Sequence, residues 1–232
     1  MNKSQQAAHY YENPRLDVLR CVPVTARNIL DVGCGAGVLG AGIKRRQRAR
    51  VVGVEYVAAQ AERAVSVLDT VHTGDVTTIE LPYPPGAFDC IIYSDVLEHL
   101  VDPWTLMARH RPLLANGGTL IVSLPNVQFI GVITDLLAGR WHYRERGVLD
   151  RTHLRFFTRI SATEMLGEAG YQVLATRRNM RWWDAPGSPL HRFARVLMPL
   201  PWLRDLFTYQ YVFVCRGDSR VQGSGAGTLV EK

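Results

Sequence analysis

The sequence predicts an α/β fold in which helices cover both faces of a seven-stranded, mostly parallel sheet. Apolar segments of strand length alternate along the chain with segments of helical period, as in a parallel sheet with helical crossovers. The first strand segment is mostly apolar, as expected of a strand that is covered on both faces. A chain of 232 residues is also long enough to bury the core of one such domain.

The first half of the chain supplies five strands and three helices, and we expect these strands to run parallel. Gly117 and Gly118 form a turn into the fifth strand, because glycine adopts turn conformations at little cost. The predicted strands are residues 28–33, 50–55, 71–74, 88–94 and 119–124. The predicted helices are residues 38–47, 58–67 and 103–114.

The second half of the chain adds one helix and two strands. Ser161 followed by Glu164 matches a capping box and predicts a helix over residues 161–169, which Gly170 ends. The two strands, of which the second is the only antiparallel strand of the sheet, are residues 171–177 and 208–215.

The composition limits the class of protein. A formal charge of +6 fits a nucleic acid, an anionic substrate or a membrane surface, but the charge is spread along the chain and assigns no partner. No apolar run approaches the roughly 20 residues of a transmembrane helix. The polar N-terminus lacks a secretory signal, and the four cysteines show no CxxC pair or zinc spacing. We therefore predict a reduced, cytoplasmic protein without a transmembrane segment.

Residues 29–37 read I-L-D-V-G-C-G-A-G and are the strongest signal in the sequence. A buried strand ends here, three glycines let the backbone approach a ligand closely, and a helix begins. The spacing is GxGxG and not the GxGxxG of dinucleotide-binding turns. Asp31 stands at the strand end, where a carboxylate suits a cationic amino group better than a pyrophosphate.

This motif resembles the first motif of the class I S-adenosylmethionine (SAM)-dependent methyltransferases, and further matches extend over residues 28–177. Glu55 closes the second strand, where an acidic side chain accepts hydrogen bonds from ribose hydroxyls. Asp75 is similar to the family's third acidic position, which meets the adenine amino group. Residues 88–95 and 113–121 resemble the family's fourth-strand and fifth-strand motifs.

The resemblance implies a Rossmann-like sheet that binds SAM. The competing interpretation is an NAD-dependent dehydrogenase, because Glu55 suits either ribose, but the glycine spacing and Asp31 count against it. The cofactor-binding residues that the resemblance implies are Asp31, Gly33, Cys34, Gly35, Gly37, Glu55, Tyr56, Asp75, Val76, Ser94 and Asp95.

The acceptor side follows the fourth strand, where the sequence reads D-V-L-E-H-L from Asp95. Residues just beyond such a strand face the ligand crevice, and a helical turn would put Asp95, Glu98 and His99 on one side. A second histidine, His153, lies in a D-R-T-H-L-R-F-F-T segment. A histidine that titrates near neutrality suits the removal of a hydroxyl proton. We therefore predict His99 as the first candidate base, with His153 and Asp95 as further catalytic candidates.

The same side chains also suit a divalent cation. The Asp95–Glu98–His99 segment resembles the metal-binding segment of ubiquinone-biosynthesis O-methyltransferases and of small-RNA 3′-terminal 2′-O-methyltransferases. In the RNA enzymes a further histidine comes from a segment that His153 loosely matches. Because Asp95 stands where those families often have glutamate, and D-V-L-E-H-L is common in metal-free relatives, we favour a site without metal.

Four segments are expected along the chain. A helical cap, residues 1–26, precedes the SAM-binding domain, residues 27–180. Within this domain, residues 125–150 form an insertion that we interpret as a loop or short-helix lid. Its arginines suit either an anionic acceptor or a solvated charged loop. Residues 181–216 comprise an amphipathic stretch and the last strand, and residues 217–232 a disordered tail. The amphipathic stretch suits a membrane surface, but covering the sheet edge or forming a homodimer contact is the preferred interpretation.

Further segments, such as L-P-N and G-x-x-D-x-T-H-x-R-F-F-T, resemble a group of methyltransferases of which many serve polysaccharide or secondary-metabolite pathways. The resemblance implies O-methylation of a small molecule or glycan. Two alternatives stay open. One is a metal-dependent RNA 2′-O-methyltransferase that uses Asp95, Glu98, His99 and His153, and the other is a SAM-binding regulator without turnover.

Overall fold

A computed structural model describes residues 14–181 and 201–217 of the chain, with a seven-stranded sheet at the centre. The strands, β1 to β7 in chain order, are Asn28–Val32, Arg50–Glu55, Thr70–Thr73, Phe88–Ser94, Leu114–Pro125, Tyr171–Met180 and Thr208–Gly217. Their order in the sheet is β3-β2-β1-β4-β5-β7-β6. Only β7 runs antiparallel to its neighbours, β5 and β6. The predicted seven-stranded, mostly parallel fold is therefore confirmed.

Helices connect the strands. The α-helices of the described residues, α1 to α7, are Leu16–Leu19, Val38–Arg46, Ala58–Val65, Pro103–His110, Ile130–Leu137, Arg159–Glu168 and Pro201–Leu206. Two 3-10 turns are Leu97–His99 and Arg111–Leu113. No helix within the described ranges is both long enough and apolar enough to cross a bilayer.

Two hydrophobic cores lie on opposite faces of the sheet, because successive strand residues point to opposite sides. In β1, Leu30 belongs to one core and Ile29 to the other. The first core includes Met107 of α4 and Met165 of α6, whereas the second includes Ile43 of α2. Helices therefore cover both faces, which explains why the central strands are apolar almost throughout.

Several predicted boundaries differ from the structure. The fifth strand begins at Leu114 and not at residue 119, so Gly117 and Gly118 lie within β5 and not in a turn before it. The helix predicted over residues 103–114 ends at His110, and the 3-10 turn takes over because Pro112 has no N–H to continue an α-helix. The capping box begins earlier than predicted, since Thr158 is the N-cap of α6 and Ser161 is its N3 residue. The Thr158 hydroxyl accepts from the Ser161 N–H at 3.2 Å, and the Ser161 hydroxyl accepts from the Thr158 N–H at 3.0 Å.

The insertion after β5 contains α5 and a small core of its own. Phe129 and Val132 pack against Val148 and Leu149, which lie beyond the helix in the sequence. Of the other predicted segments, the N-terminal cap is described only from residue 14, and the segment 181–216, with its amphipathic stretch, is described at residue 181 and from residue 201 onward. The predicted disordered tail lies outside the described residues apart from Gly217.

Asn126 anchors the end of β5 and is completely buried. Its Nδ2 donates to the backbone carbonyls of Asp205 and Thr208, both at 2.7 Å, and its Oδ1 accepts from the Gln128 N–H at 3.0 Å. The side chain thus joins the strand end that leads into the insertion to the junction of α7 and β7.

Asn126→Ala is expected to lower the free energy of unfolding by about 2–4 kcal/mol, because two buried carbonyls lose their donor. Urea denaturation measures this loss. Asn116→Ala, at an exposed position of the same strand, is the matched control and should change stability by about 0.5 kcal/mol or less. Equal losses in the two variants would contradict an anchoring role for Asn126.

Candidate functional site

The candidate site lies at the carboxyl ends of β1, β2 and β4. These strands are parallel neighbours, so the turns that follow them share one edge of the sheet. The chain reverses its direction of progress across the sheet between β1 and β4, and ligands of open α/β sheets bind at such a switch point.

The glycine-rich turn after β1 is shaped for a close ligand. Gly33 has φ 72°, a left-handed conformation, and a Cβ there would overlap the Val96 side chain. Gly35 has φ 54°, and its N–H donates to Glu55 Oε2 at 2.8 Å. Glu55 is buried, and its Oε1 accepts from the Val57 N–H at 2.8 Å. Because an ionised carboxylate has about four acceptor positions, Glu55 retains lone pairs for ribose hydroxyls.

Asp31 is the buried carboxylate at the end of β1. It is 1% exposed, and its Oδ2 has no hydrogen-bond partner among the described residues. Burial raises the pKa of Asp31 to about 7, and the nearby Glu55 carboxylate adds to this shift, whereas the Arg15 guanidinium opposes it. An unpartnered buried carboxylate fits a cationic group of a ligand. Asp31 therefore suits the amino group of SAM.

Cys34 and Tyr56 differ from the other predicted cofactor residues in how their side chains lie. The Cys34 thiol is buried and packs against Gly53 of β2, so only its backbone can face a cofactor. Burial raises the pKa of this thiol. The Tyr56 side chain is 73% exposed and lies at the surface directly after β2. Gly37 is the N-cap of α2, with φ 79°.

A pocket of about 380 Å³, the Asp75–Arg109 pocket, opens beside this edge. Asp75 accepts from the Thr77 hydroxyl at 2.7 Å and from the Thr77 N–H at 2.8 Å, and these bonds lower the pKa of its carboxyl. Val76 is buried, and its carbonyl accepts from Arg109. The lining residues are Asp75, Thr77, His99, Leu100, Val101, Asp102, Thr105, Leu106 and Arg109. The pocket therefore joins a predicted cofactor residue to a predicted catalytic residue.

Asp95 follows β4 in a left-handed conformation, with φ 59°, and lies in a polar network. Its carboxylate accepts from the Arg15 guanidinium, from the Ser123 hydroxyl at 2.7 Å and from the Gln210 amide at 2.5 Å. Arg15 also donates to Ser94 Oγ at 2.8 Å. The sequence does not predict the roles of Arg15, Ser123 and Gln210, because these residues lie far apart in the chain and form no local motif.

Three of the four residues proposed for a cation lie together. Glu98, His99 and His153 each offer one possible ligand atom, and these three atoms lie within 4.8 Å of one another. Asp95 does not belong to this group. The two imidazole rings meet edge to face, with 4.8 Å between centroids. Glu98 is buried, and its Oε2 has no hydrogen-bond partner among the described residues. Burial raises the pKa of Glu98, and the Asp95 carboxylate adds to the shift.

Both histidines present a basic nitrogen. His99 Nδ1 is 3.2 Å from the Thr152 carbonyl oxygen, and His153 Nδ1 is 3.0 Å from the Val148 carbonyl oxygen. A carbonyl oxygen only accepts, so each neutral ring carries its proton on Nδ1 and leaves Nε2 with a lone pair. Burial lowers the pKa of His153, which keeps this ring neutral near pH 7. The arrangement is suited to accepting a proton or to holding a cation.

A second pocket of about 200 Å³, the Arg144–Arg146 pocket, lies between α5 and the segment that follows it. Asp135 pairs with Arg140 at 3.1 Å and with Arg144 at 3.3 Å. The lining residues are Phe129, Gly131, Val132, Asp135, Arg144, Arg146, Gly147, Val148, Leu149 and Tyr209. Because the Val148 carbonyl also holds His153, this pocket adjoins the histidine pair.

Comparison with known proteins gives concordant findings. A family model described as a methyltransferase domain matches residues 7–176. A probable SAM-dependent methyltransferase of Mycolicibacterium smegmatis is 28% identical over 147 residues, which cover 63% of this chain and 52% of that protein. A ubiquinone biosynthesis O-methyltransferase of Xylella fastidiosa is 32% identical over 130 residues, which cover 53% of this chain and 52% of the relative. The chain thus spans about half the length of these relatives.

Among solved structures, a SAM-dependent methyltransferase of Thermotoga maritima, described as a possible histamine N-methyltransferase, has a TM-score of 0.62. It is 17% identical, and the match covers 90% of this chain and 89% of that one. At this identity the likeness concerns the fold alone.

Proposed function

The chain belongs to the methyltransferase-domain family and is a class I SAM-dependent enzyme, and from this premise we propose that it methylates a hydroxyl oxygen of a small molecule or glycan. The observation that supports the proposal is the position of His99, which lines the same pocket as Asp75, the residue predicted to contact the adenine of the cofactor. The O-methyltransferase of Xylella fastidiosa, a relative of part of the chain, supports an oxygen acceptor.

SAM supplies, when bound, a methyl group that its positively charged sulfur already activates. The protein must hold the acceptor oxygen in line with that group and exclude water. We assign the amino group of the cofactor to Asp31, the ribose hydroxyls to Glu55 and the adenine amino group to Asp75. Together these three carboxylates would bind the two ends and the middle of the cofactor.

The acceptor hydroxyl would lose its proton as the new carbon–oxygen bond forms and the bond between the methyl carbon and sulfur breaks, which leaves a neutral thioether. A general base accelerates this step by taking the proton. We assign the base to His99, whose Nε2 has a lone pair because its Nδ1 faces the Thr152 carbonyl. His153, edge-on to His99 and kept neutral by burial, is the second candidate base. Asp95 is the weakest of the three, because its carboxylate already accepts from several donors.

The Arg144–Arg146 pocket supports an acceptor with an anionic group, such as a nucleotide-sugar or a phosphorylated glycan. Arg144 shares Asp135 with Arg140, whereas Arg146 takes no part in these ion pairs and lines the pocket. Tyr209 and Phe129 provide an aromatic wall against which a sugar or ring can pack. We propose that the acceptor reaches His99 from this side.

A second candidate uses a divalent cation, and the unpartnered Glu98 carboxylate favours it. Glu98, His99 and His153 would hold the cation, which would lower the pKa of an acceptor hydroxyl bound to it. Both histidines donate Nδ1–H to backbone carbonyls, as metal-bound histidines commonly do. RNA 2′-O-methylation belongs to this candidate, although no described contact singles out RNA.

Turnover in excess EDTA is expected to equal turnover without EDTA, because the imidazole base needs no cation. A methyl-transfer assay with purified protein measures this directly. Glu98→Gln, which keeps the side-chain shape and removes a ligand charge, should then stay within about twofold of wild type. Loss of activity in EDTA, restored by Mg²⁺ or Mn²⁺, would instead support the cation.

A further inference from the structure

The Thr152 hydroxyl lies between the Asp150 carboxylate and the His99 ring. Thr152 Oγ1 is 2.7 Å from Asp150 Oδ1 and 3.1 Å from His99 Nδ1. An ionised carboxylate only accepts, so the hydroxyl proton goes to Asp150 and a lone pair of Oγ1 faces the His99 Nδ1–H. The three side chains form one hydrogen-bonded chain that runs from the Asp150 carboxylate through the Thr152 hydroxyl to Nδ1 of His99.

The backbone fixes this chain of bonds at both ends. Asp150 Oδ1 also accepts from the Thr152 N–H at 2.8 Å, so the carboxylate orders the loop as well as the hydroxyl. The Glu98 carbonyl accepts from the N–H groups of Leu154 and Arg155, at 2.8 and 3.0 Å. These bonds attach the loop to the 3-10 turn that carries His99, although the two segments lie far apart in the sequence.

We propose that Asp150 and Thr152 are positioning residues for His99, and this inference rests on the proposed function of His99 as the base. The Nδ1–H group of His99 faces both the Thr152 hydroxyl, at 3.1 Å, and the Thr152 carbonyl oxygen, at 3.2 Å. These two acceptors hold the imidazole in the Nδ1–H tautomer, which leaves Nε2 able to take the proton of the acceptor hydroxyl. When that proton arrives, the ring becomes an imidazolium, and the Asp150 carboxylate stabilises its charge through the intervening hydroxyl. The chemistry is that of a base oriented by a third group.

Thr152→Val tests the proposal, because it keeps the shape of the side chain and removes the hydroxyl. The expected result is a fall in kcat on the order of tenfold, the effect of one hydrogen bond, with the KM for SAM unchanged. Thr152→Ser should restore kcat to within about threefold of wild type. Thr163→Val, at an exposed threonine of α6, is the matched control and should leave both constants unchanged.

A double-mutant cycle with His99→Ala shows whether Thr152 acts through His99. In the His99→Ala background the Thr152→Val change should have no further effect on kcat, because the side chain it positions is absent. An equal loss in both backgrounds, or failure of Thr152→Ser to restore kcat, would overturn the proposal. Asp150→Asn keeps an acceptor oxygen but removes the charge, so kcat should fall while the tautomer stays.

A nitrogen-15 NMR measurement of the His99 ring provides a readout that does not depend on activity. Wild type and Thr152→Ser should show the Nδ1–H tautomer. Thr152→Val keeps the carbonyl acceptor but loses the hydroxyl acceptor, so it should show a partial increase in the fraction of the Nε2–H tautomer. If His99→Ala keeps full turnover, the role of His99 as base fails, and the tautomer shift alone then decides the positioning role. An unchanged tautomer in Thr152→Val would overturn it.

Discussion

His99→Ala is expected to lower kcat by about a hundredfold or more, while the affinity for SAM stays nearly unchanged. In the proposed reaction the imidazole accepts the proton of the acceptor hydroxyl at Nε2, and its Nδ1 bonds to Thr152 and not to a residue that we assign to the cofactor. Two of the side chains that we assign to the cofactor, Asp31 and Glu55, lie in β1 and β2 and make no hydrogen bond to His99 among the described residues. Steady-state kinetics gives kcat, and calorimetry with S-adenosylhomocysteine gives the affinity.

His142→Ala is the control for this experiment, because His142 is an exposed histidine of the insertion. It should leave kcat within about twofold of wild type. If His99→Ala weakens cofactor binding as much as it lowers kcat, His99 is a structural residue and the base lies elsewhere.

Asp31→Asn is expected to have opposite effects on cofactor binding and on stability. The asparagine amide is uncharged and cannot form an ion pair with a cationic amino group, so the Kd for SAM should rise about 10- to 100-fold. The same change removes a buried carboxylate that the Glu55 carboxylate repels and whose Oδ2 has no hydrogen-bond partner among the described residues. The protein without cofactor should therefore become more stable. A pKa difference of one unit equals about 1.4 kcal/mol, which sets the scale of this gain.

The pH dependence of stability follows from the raised pKa of Asp31. The unfolded chain ionises this carboxyl near pH 4, whereas the folded protein ionises it at about 7. Its contribution to stability is therefore complete below pH 4 and is lost as the pH rises to about 7. Asp31→Asn should flatten the unfolding free energy across this interval, as urea denaturation at several pH values can measure.

Cofactor binding should depend on pH in the opposite direction. Asp31 must be ionised to hold an ammonium group, so wild-type affinity should weaken as the pH falls through about 7, and Asp31→Asn should lack this change. Asp89→Asn is the control, because Asp89 accepts from backbone N–H groups at the opposite edge of the sheet. Identical pH profiles for wild type and Asp31→Asn would contradict the assignment of Asp31.

The sequence was sufficient for the sheet and its ligand-binding edge, because both depend on local patterns. Buried strands are apolar runs bounded by glycines, and the residues 29–37 carry the turn, the carboxylate and the helix start in one stretch. The capping box was misplaced by one turn because Thr158 and Ser161 both carry hydroxyls that can cap a helix. Only the backbone conformation of Thr158, which is extended, makes it the cap.

The connections between distant segments could not be predicted in this way. Arg15 bonds to Asp95, and Thr152 bonds to His99, only because the fold brings these segments together. The D-x-T-H spacing was visible as a motif, but nothing local shows that its threonine faces the first histidine. Similarly, the sequence grouped Asp95 with the two histidines, whereas the left-handed backbone at Asp95 directs its carboxylate into another network.

The most direct test of the proposed function is the transfer of radiolabelled methyl from SAM into separated metabolite, glycan and RNA fractions of a bacterial lysate, with and without EDTA. The proposed function predicts label on an oxygen in the metabolite or glycan fraction, undiminished by EDTA and incorporated about a hundredfold more slowly with His99→Ala. Label confined to RNA and lost in EDTA would contradict it and would favour a cation held by Glu98, His99 and His153. Bound but unconsumed SAM, with no label in any fraction, would contradict it in favour of a regulator.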